Sequence, residues 1–477
     1  MKRKLENEED DKLISNDFVT SCQKKFNLDP SNIIARNAIS SVGSVLSTTN
    51  IDRVNSINHI FLNSVKKKNI RATNQGASGR CWMFAALNIF RHILINALDL
   101  EDFEFSETYL FFWDKFERSN RYLNWFISNP QETANSENFD YMISDFMSDG
   151  GWWNTFSNLV TKYGLVPLSS MKETFQSDDS DDMNLIIQNH LTSTVNYIIN
   201  NRKKLSSEEL QEIKKKSLEN IYNTLVKFLG EPPKQFTWSF TTSENEPTAI
   251  HKVTPTSFLE MFSPNMDMTQ DFVVLSNIPM KNMKLYQKYC VNMTNNVEEG
   301  ECFSFYNVPI NELSKYTMKS IENGFAVWFG GDVTKYFNPY HASLDDKLND
   351  TEIVFGKTFP FSKGERMLFK DIQSCHAMAL TGFNTDSKGK PVNWQVENSW
   401  GYYDKDVAGL DGFLSMSHSW FENYVIKIVV HKSFLSRSLM KKMETDETIN
   451  LNPWDNIAPE IMRIRPVKCL KQFSRFK

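Results

Sequence analysis

The sequence predicts an α+β protein with two unlike lobes, one helical and one an antiparallel, barrel-like sheet, plus a helical insertion between them. Three patterns carry this expectation. From Cys81, residues Ala85, Ala86, Ile89, Phe90 and Ile93 continue a helical run apolar on most faces. A helix apolar nearly all round is a buried one. Beyond residue 315, five short apolar runs bounded by turn residues read as strands, at 325–331, 377–383, 392–397, 412–416 and 425–430. Between these regions, Ser206-Ser207-Glu208-Glu209 forms a capping box with Ser206 as cap and Glu209 three residues later. Leu210, Ile213, Ile221, Leu225 and Phe228 follow at helical spacing, and Gly230 with Pro232-Pro233 ends the run.

Taken in order, residues 1–45 form a polar N-terminal segment and arm, whose first dozen residues carry the mixed charge blocks of a disordered start. Residues 46–170 make the helical lobe. Residues 171–314 make a mostly helical insertion, opened by the acidic break Ser177 to Asp182. Residues 315–435 are the β-rich lobe, and 436–477 a C-terminal arm with a basic tail. A length of 477 residues suits about three domain-sized units. Hydrophobic residues at 40% and aromatics at 13% supply a large core, and a net charge of −5 implies neither a nucleic-acid nor a membrane partner by itself. Met1 to Asp11 is charged and lacks an apolar signal core. No apolar run of about 18 residues is read as a membrane span.

The chemistry concentrates in three places. Asn74-Gln75-Gly76-Ala77-Ser78-Gly79-Arg80-Cys81-Trp82 puts a Gln six residues before a Cys that opens the apolar helix. The positive end of a helix lowers a thiol's pKa, and the thiolate is the nucleophilic form. Gln75 can aim an amide N–H at the oxygen of an attacked carbonyl, beside the backbone N–H of Cys81. Gly76 and Gly79 let the chain turn tightly enough to bring those donors together. The competing reading is a loop before a buried helix whose Cys is a small apolar core residue. Downstream, Ser374-Cys375-His376-Ala377 places a His at the head of a strand, and Trp394-Gln395-Val396-Glu397-Asn398-Ser399-Trp400-Gly401 follows. Cys81, His376 and Asn398 in that order can be nucleophile, general base and the group that fixes the imidazole tautomer. Alone, His376 could equally be a hydrogen-bonded core residue and Asn398 a turn residue.

These residues resemble the papain-like cysteine peptidases, and more narrowly their bleomycin hydrolase/aminopeptidase C branch. The resemblance rests on Ser78-Gly79-Arg80-Cys81-Trp82, Asp149-Gly150-Gly151, Tyr109 to Lys115, Lys234 to Trp238, Ala326 to Gly330, His376-Ala377, Asn398-Ser399-Trp400-Gly401 and Trp454-Asp455. It covers roughly residues 20–458. It implies a two-lobed papain-like fold and a cysteine aminopeptidase acting on peptides with a free N-terminus. It also implies that the insertion serves assembly into a homohexamer, where the residues alone read as a helical decoration. Gly150 and Gly151 would expose backbone to an extended peptide, and Trp400 would cover the His376–Asn398 hydrogen bond or simply serve as a core aromatic. No metal or organic cofactor is called for.

Secreted members of the clan usually carry a disulfide-bonded Cys three positions before the nucleophile, where this chain has Ser78. The six cysteines, Cys22, Cys81, Cys290, Cys302, Cys375 and Cys469, show no paired spacing. A reducing, cytoplasmic setting follows, and the sequons at Asn292 and Asn349 read as chance matches.

The chain departs from the branch at its end. Members usually finish shortly after Trp-Asp-Pro, and that terminal carboxylate meets the substrate's α-amino group. Here Asn456 follows Asp455, and 19 residues continue past Ala458 (477 − 458), with Arg463, Arg465, Lys468, Lys471, Arg475 and Lys477 against Glu460. The tail is either clipped, or lies outside the cleft and leaves a less restricted endopeptidase, or binds acidic partners, nucleic acid included. A non-catalytic ring and an acyl or amide transferase are the readings from other classes. The complete Gln75, Cys81, His376 and Asn398 set disfavours the first, and Asn398 with Trp82 disfavours the second.

Overall fold

The structure is a computed structural model that describes residues 13–65, 70–144, 146–242, 244, 246–360, 362–401 and 412–455. The expectations for the first dozen residues and for the basic tail lie outside the described residues. The chain divides into two compact units, residues 1–57 with 346–360, and 58–345 with 361–477.

The smaller unit is helical. Its helices Asn16–Leu28 and Pro30–Val42 meet at Asp29, whose carboxylate accepts from the Ser31 N–H at 2.9 Å while Pro30 pre-sets the first turn. Residues 346–360 pair with this arm, through Asn50 N–H to Leu348 O and Asp350 N–H to Thr48 O, both 2.8 Å. The sequence reading had put these residues in the β-rich lobe. Their connection is nonlocal, which periodicity cannot reveal.

Among the described residues, the larger unit holds every strand. They are β1 (Asn63–Ser64), β2 (Phe236–Thr241), β3 (Pro247–Val253), β4 (Phe272–Ser276), β5 (Gln287–Val291), β6 (Phe303–Asn307), β7 (Val327–Gly331) and β8 (Phe337–Asn338). There follow β9 (Ser343–Leu344), β10 (His376–Thr385), β11 (Pro391–Glu397), β12 (Phe413–Ser417), β13 (Val425–His431) and β14 (Ile449–Leu451). One sheet runs β14-β5-β6-β4-β13-β7-β10-β11-β12-β9-β8 with β1 on β10, and β2 and β3 pair apart. The five strand expectations fall on β7, β10, β11, β12 and β13. From β4 to β12 through β13, β7, β10 and β11 every pairing is antiparallel. The antiparallel description fails at the flanks, where β4 and β6, β5 and β14, and β9 and β12 run parallel.

The central strands are apolar without alternation because both faces are covered. Val327-Trp328-Phe329-Gly330-Gly331 is buried throughout. Two helices, Cys81–Leu98 and Ile310–Glu322, pack on β7 and β10. Among the described residues one helix, Cys81–Leu98, is long and apolar enough to cross a membrane by length and composition, yet 78% of it is buried inside the fold. Burial in protein accounts for its apolarity.

Residues 171–314 open as expected. Ser206 caps the Ser207–Leu229 helix, its backbone N–H bonded to Glu209 Oε2 at 2.7 Å, and Gly230 ends it at φ +86°. After Gly230 the segment turns to strands, and β4, β5 and β6 join the main sheet. The helical description thus holds for its first part. Phe272-Val273-Val274-Leu275 is a β-branched apolar run that the stronger helix signals upstream had overshadowed.

Candidate active site

The Cys81–Leu98 helix begins at the thiol. Arg80, its cap residue, makes no side-chain cap, and the first turn holds no acid. The first amides are therefore left for the sulfur. The backbone N–H groups of Ala377, Trp82 and Cys81 itself favour the sulfur's anion.

The preceding loop is held from several sides. Arg80 is fully buried and forms a forked pair with Glu173, at 3.1 and 2.7 Å, while its Nε donates to Ser78 Oγ at 2.8 Å. Burial alone would raise the Glu173 carboxyl, but the Arg80 guanidinium and the hydroxyls of Thr108 and Ser177 hold it below its usual value. Gly76 takes φ +60°, and any Cβ there would lie 2.0 Å from Asp178 Oδ1. That close approach and the left-handed φ account for the glycine.

Gln75 is positioned at both ends of its amide. Nε2 donates to Ser78 O at 2.7 Å, and Oε1 accepts from Ser399 Oγ at 2.6 Å. An amide nitrogen has two N–H donors, so one remains beyond the Ser78 bond. The loop also joins the Asn398 segment through backbone: Gln75 N–H to Ser399 O at 2.8 Å and Gly401 N–H to Thr73 O at 2.9 Å. Asn74 and Trp400 form a bridge.

The tautomer of His376 follows from its neighbours. The Ser399 backbone N–H lies 2.9 Å from one end of the Asn398 amide, which must therefore be its oxygen. That same oxygen lies 2.8 Å from His376 Nε2. Nε2 must then carry the proton, and in the neutral ring Nδ1 is the basic nitrogen. The Trp400 ring lies over His376, centroids 4.7 Å apart and planes tilted by 30°.

Cys81 and His376 are each 1% exposed. Burial pushes the Cys81 thiol up to about 12 and the His376 imidazolium down to about 4, the Asn398 bond opposing the latter. Burial thus works against the thiolate–imidazolium pair that the sequence reading expects. A proton moved from Cys81 to His376 creates both charges together, and their attraction offsets the two burial costs.

Gly151 packs on Trp82, the residue after Cys81, and the segment before it is held by Asp149. Asp149 Oδ1 pairs with Lys115 Nζ at 2.8 Å and accepts from Asn184 at 2.7 Å, and Oδ2 accepts from Gly79 N–H at 3.1 Å and from Ser180. Burial would raise the Asp149 carboxyl, but Lys115 and these donors hold it far below the usual carboxylate range. Trp82 Nε1 donates to Asp149 O at 2.7 Å, and Arg118 donates to Gly150 O at 2.7 Å. A Cβ on Gly151 would meet the Trp82 indole at 2.5 Å. Packing on Trp82 is thus a reason for this glycine besides the expected approach of a peptide.

All seven expected residues gather here. The sequence reading missed Ser399, the Lys115–Asp149 pair and Lys427, although Lys427 interrupts an otherwise apolar strand. Among the described residues no His, Cys, Asp and Glu group could hold a metal. The five described cysteines are free, and Ser78 bonds to Gln75 O at 2.6 Å in the place of a disulfide.

Residues 13–458 match the peptidase C1-like family. Aminopeptidase C of Listeria monocytogenes is 34% identical over 432 residues, covering 91% of this chain and 95% of the relative. Bleomycin hydrolase of Rattus norvegicus is 32% identical over 455 residues, covering 93% and 98%. The crystal structure of PepW from Lactobacillus rhamnosis superposes with a TM-score of 0.87 at 29% identity, covering 93% of this chain and 98% of that one.

Proposed function

This chain belongs to the peptidase C1-like family, and on that footing we propose that it is a cysteine aminopeptidase working through Cys81, His376 and Asn398. Cys81 gives its proton to His376 Nδ1 and attacks a peptide carbonyl. The remaining Gln75 N–H and the Cys81 N–H hold the oxyanion. His376 returns its proton to the leaving amine, then takes one from the water that releases the acyl-enzyme. Throughout, Asn398 accepts from Nε2–H and keeps Nδ1 aimed at the chemistry. Gly150 and Gly151 line the approach of the peptide backbone. The observation that carries this reading is the pairing of a thiol at an uncapped helix start with a histidine whose tautomer is set by Asn398 and Ser399.

Action on peptides with a free N-terminus is supported by the relatives named aminopeptidase C and bleomycin hydrolase. Residues 459–477 lie beyond the family match, which keeps the less restricted endopeptidase as the second reading. The test is a matched pair of fluorogenic peptides, one N-blocked, with the protein's C-terminal mass recorded before and after. Cleavage of the free peptide alone supports the aminopeptidase. Cleavage of both supports the endopeptidase, and cleavage of neither, with Cys81 refractory to an epoxide inhibitor, overturns both.

The free cysteines support a reducing, cytoplasmic setting. A homohexamer is what the family resemblance implies, and Leu185, Ile186 and Ile199 are exposed apolar residues on the Asp181–Asn201 helix. Light scattering on the eluting protein checks it, and a monomeric mass would refute it.

A further inference from the structure

Lys427 lies in the middle of β13, in the run Val425-Ile426-Lys427-Ile428-Val429-Val430, and is fully buried. A lysine in such a run costs free energy, because burial disfavours its charged form. Its position is specific. Lys427 is in register with Gly330 on β7, and Gly330 is in register with Ala377 on β10. Residues directly opposite across strands share a face, so the three form one row leading to the Ala377 N–H that faces the Cys81 sulfur.

Gly330 opens that row. A Cβ there would lie 2.9 Å from Lys427 Cε and 3.3 Å from its Cγ, so the lysine stem occupies the space a side chain would fill. The stem thus lies across Gly330, on the side of β13 that faces β7 and β10. The ammonium rests over the Phe303 ring, 5.1 Å from its centroid, an apolar wall that an ammonium tolerates through the ring's quadrupole. Burial pulls the Lys427 ammonium down to about 7 and pushes the Cys81 thiol up, and against both effects each group's charge favours the other's charged form. Among the described residues, titratable groups around this site include His376 with the adjacent Cys375 and Asp332 on the sheet, and the paired Lys115 and Asp149 behind Trp82.

We propose that Lys427 is a second cation for the nucleophile, its ammonium stabilising the Cys81 thiolate from the sheet side while His376 does so from the strand end. This rests on Cys81 being the nucleophile. The division of labour is chemical. His376 must give up its proton to the leaving amine, whereas Lys427 transfers none and acts by charge alone, an effect present below about pH 7 and lost as the buried ammonium titrates. The thiolate then remains favoured when the imidazole is neutral. Lys427 is on this view a positioning residue acting through Cys81.

The test is the pH profile of Cys81 alkylation in full-length protein, using neutral iodoacetamide and anionic iodoacetate, with the labelled residue located by mass spectrometry. Lys427→Met is expected to slow both reagents about tenfold near pH 6 and to converge with the parent in alkali, since a neighbouring opposite charge moves a pKa by about one unit or more and each unit is tenfold in thiolate. Lys427→Arg, which keeps the charge, should restore much of the rate. Gly330→Ala retains the lysine but displaces its amine, and should slow alkylation in the same direction; it carries the test if Lys427→Met does not fold. Unchanged iodoacetamide profiles in the variants overturn the proposal. Slowing confined to iodoacetate also overturns it, marking Lys427 as an anion-binding group for substrate instead. A parent protein not labelled at Cys81 overturns the nucleophile reading itself.

Discussion

Replacing Lys115 by Met tests whether the buried Lys115–Asp149 pair holds the Gly150-Gly151 segment against the nucleophile helix. The Lys115 side chain is fully buried and Asp149 is 6% exposed, with 2.8 Å between charges. Lys115 also donates to Met147 O at 2.7 Å and Ser148 O at 3.1 Å. Removing one partner of such a pair leaves a buried charge uncompensated, which costs about 3–5 kcal/mol, against the roughly 5–15 kcal/mol that holds a folded unit. Urea unfolding followed by tryptophan fluorescence should show a loss of that size at pH 7. The pH dependence gives a sharper signature. In the parent, the Asp149 carboxyl is held below its unfolded value, so the pair's stabilisation is complete above about pH 4 and is lost as pH falls through the folded value. In the variant, burial without Lys115 raises the same carboxyl above its unfolded value. The penalty is then largest at neutral pH and recedes as acid protonates Asp149, so the gap between variant and parent narrows on acidification. Lys115→Met with Asp149→Asn should recover part of the loss at pH 7. A single-variant loss under about 1 kcal/mol, or a gap that does not change with pH, would refute the reasoning.

Gln75→Ala should lower kcat by about 10²–10³ with little change in KM, as loss of an oxyanion donor does; steady-state kinetics on a free-amine peptide checks it. Ser399→Ala leaves Gln75 Oε1 without its 2.6 Å donor and should cost about 1–3 kcal/mol of stability together with part of the Gln75 effect on kcat. Gly151→Ala drives a methyl into the Trp82 indole and should destabilise by about 1–3 kcal/mol, read as a lowered unfolding midpoint. Ser206→Ala removes the cap of the Ser207–Leu229 helix and should cost about 1 kcal/mol without touching kcat.

How legible the molecule is depends on how local each signal is. The Ser206 box and the Gly230 stop are decided within a few residues, and the structure has both. The strands β7 and β10 to β13 were legible because burial on both faces makes them uninterrupted apolar runs. The strands β5 and β6 were not, since Lys288-Tyr289-Cys290 and Ser304-Phe305-Tyr306 are short and polar-mixed and gain their place by pairing at long range. The same limit hid the return of residues 346–360 to the N-terminal arm. At the site, Cys81, His376 and Asn398 were legible because their chemistry is rare in combination. Ser399 was quoted within the Asn398 segment, yet its work on Gln75 is 324 residues away in sequence and no spacing expresses it. Lys427 was visible as a charge in an apolar strand, but only the register with Gly330 and Ala377 gives it a destination.

Ser399 joins two tasks usually treated separately. Its backbone N–H fixes the Asn398 oxygen that sets the His376 tautomer, and its hydroxyl fixes the Gln75 amide that is to meet the oxyanion. The Gln75 N–H to Ser399 O bond closes the connection through backbone. A displacement of the Asn398 segment is therefore transmitted to both His376 and Gln75. Groups joined in this way do not contribute independently. In a double-mutant cycle, Gln75→Ala with Ser399→Ala should cost distinctly less in kcat than the sum of the single losses, because the second change removes support from a side chain already gone. Additive losses would mean that Gln75 holds its orientation through the Ser78 carbonyl alone, and that the base and the oxyanion site are set independently.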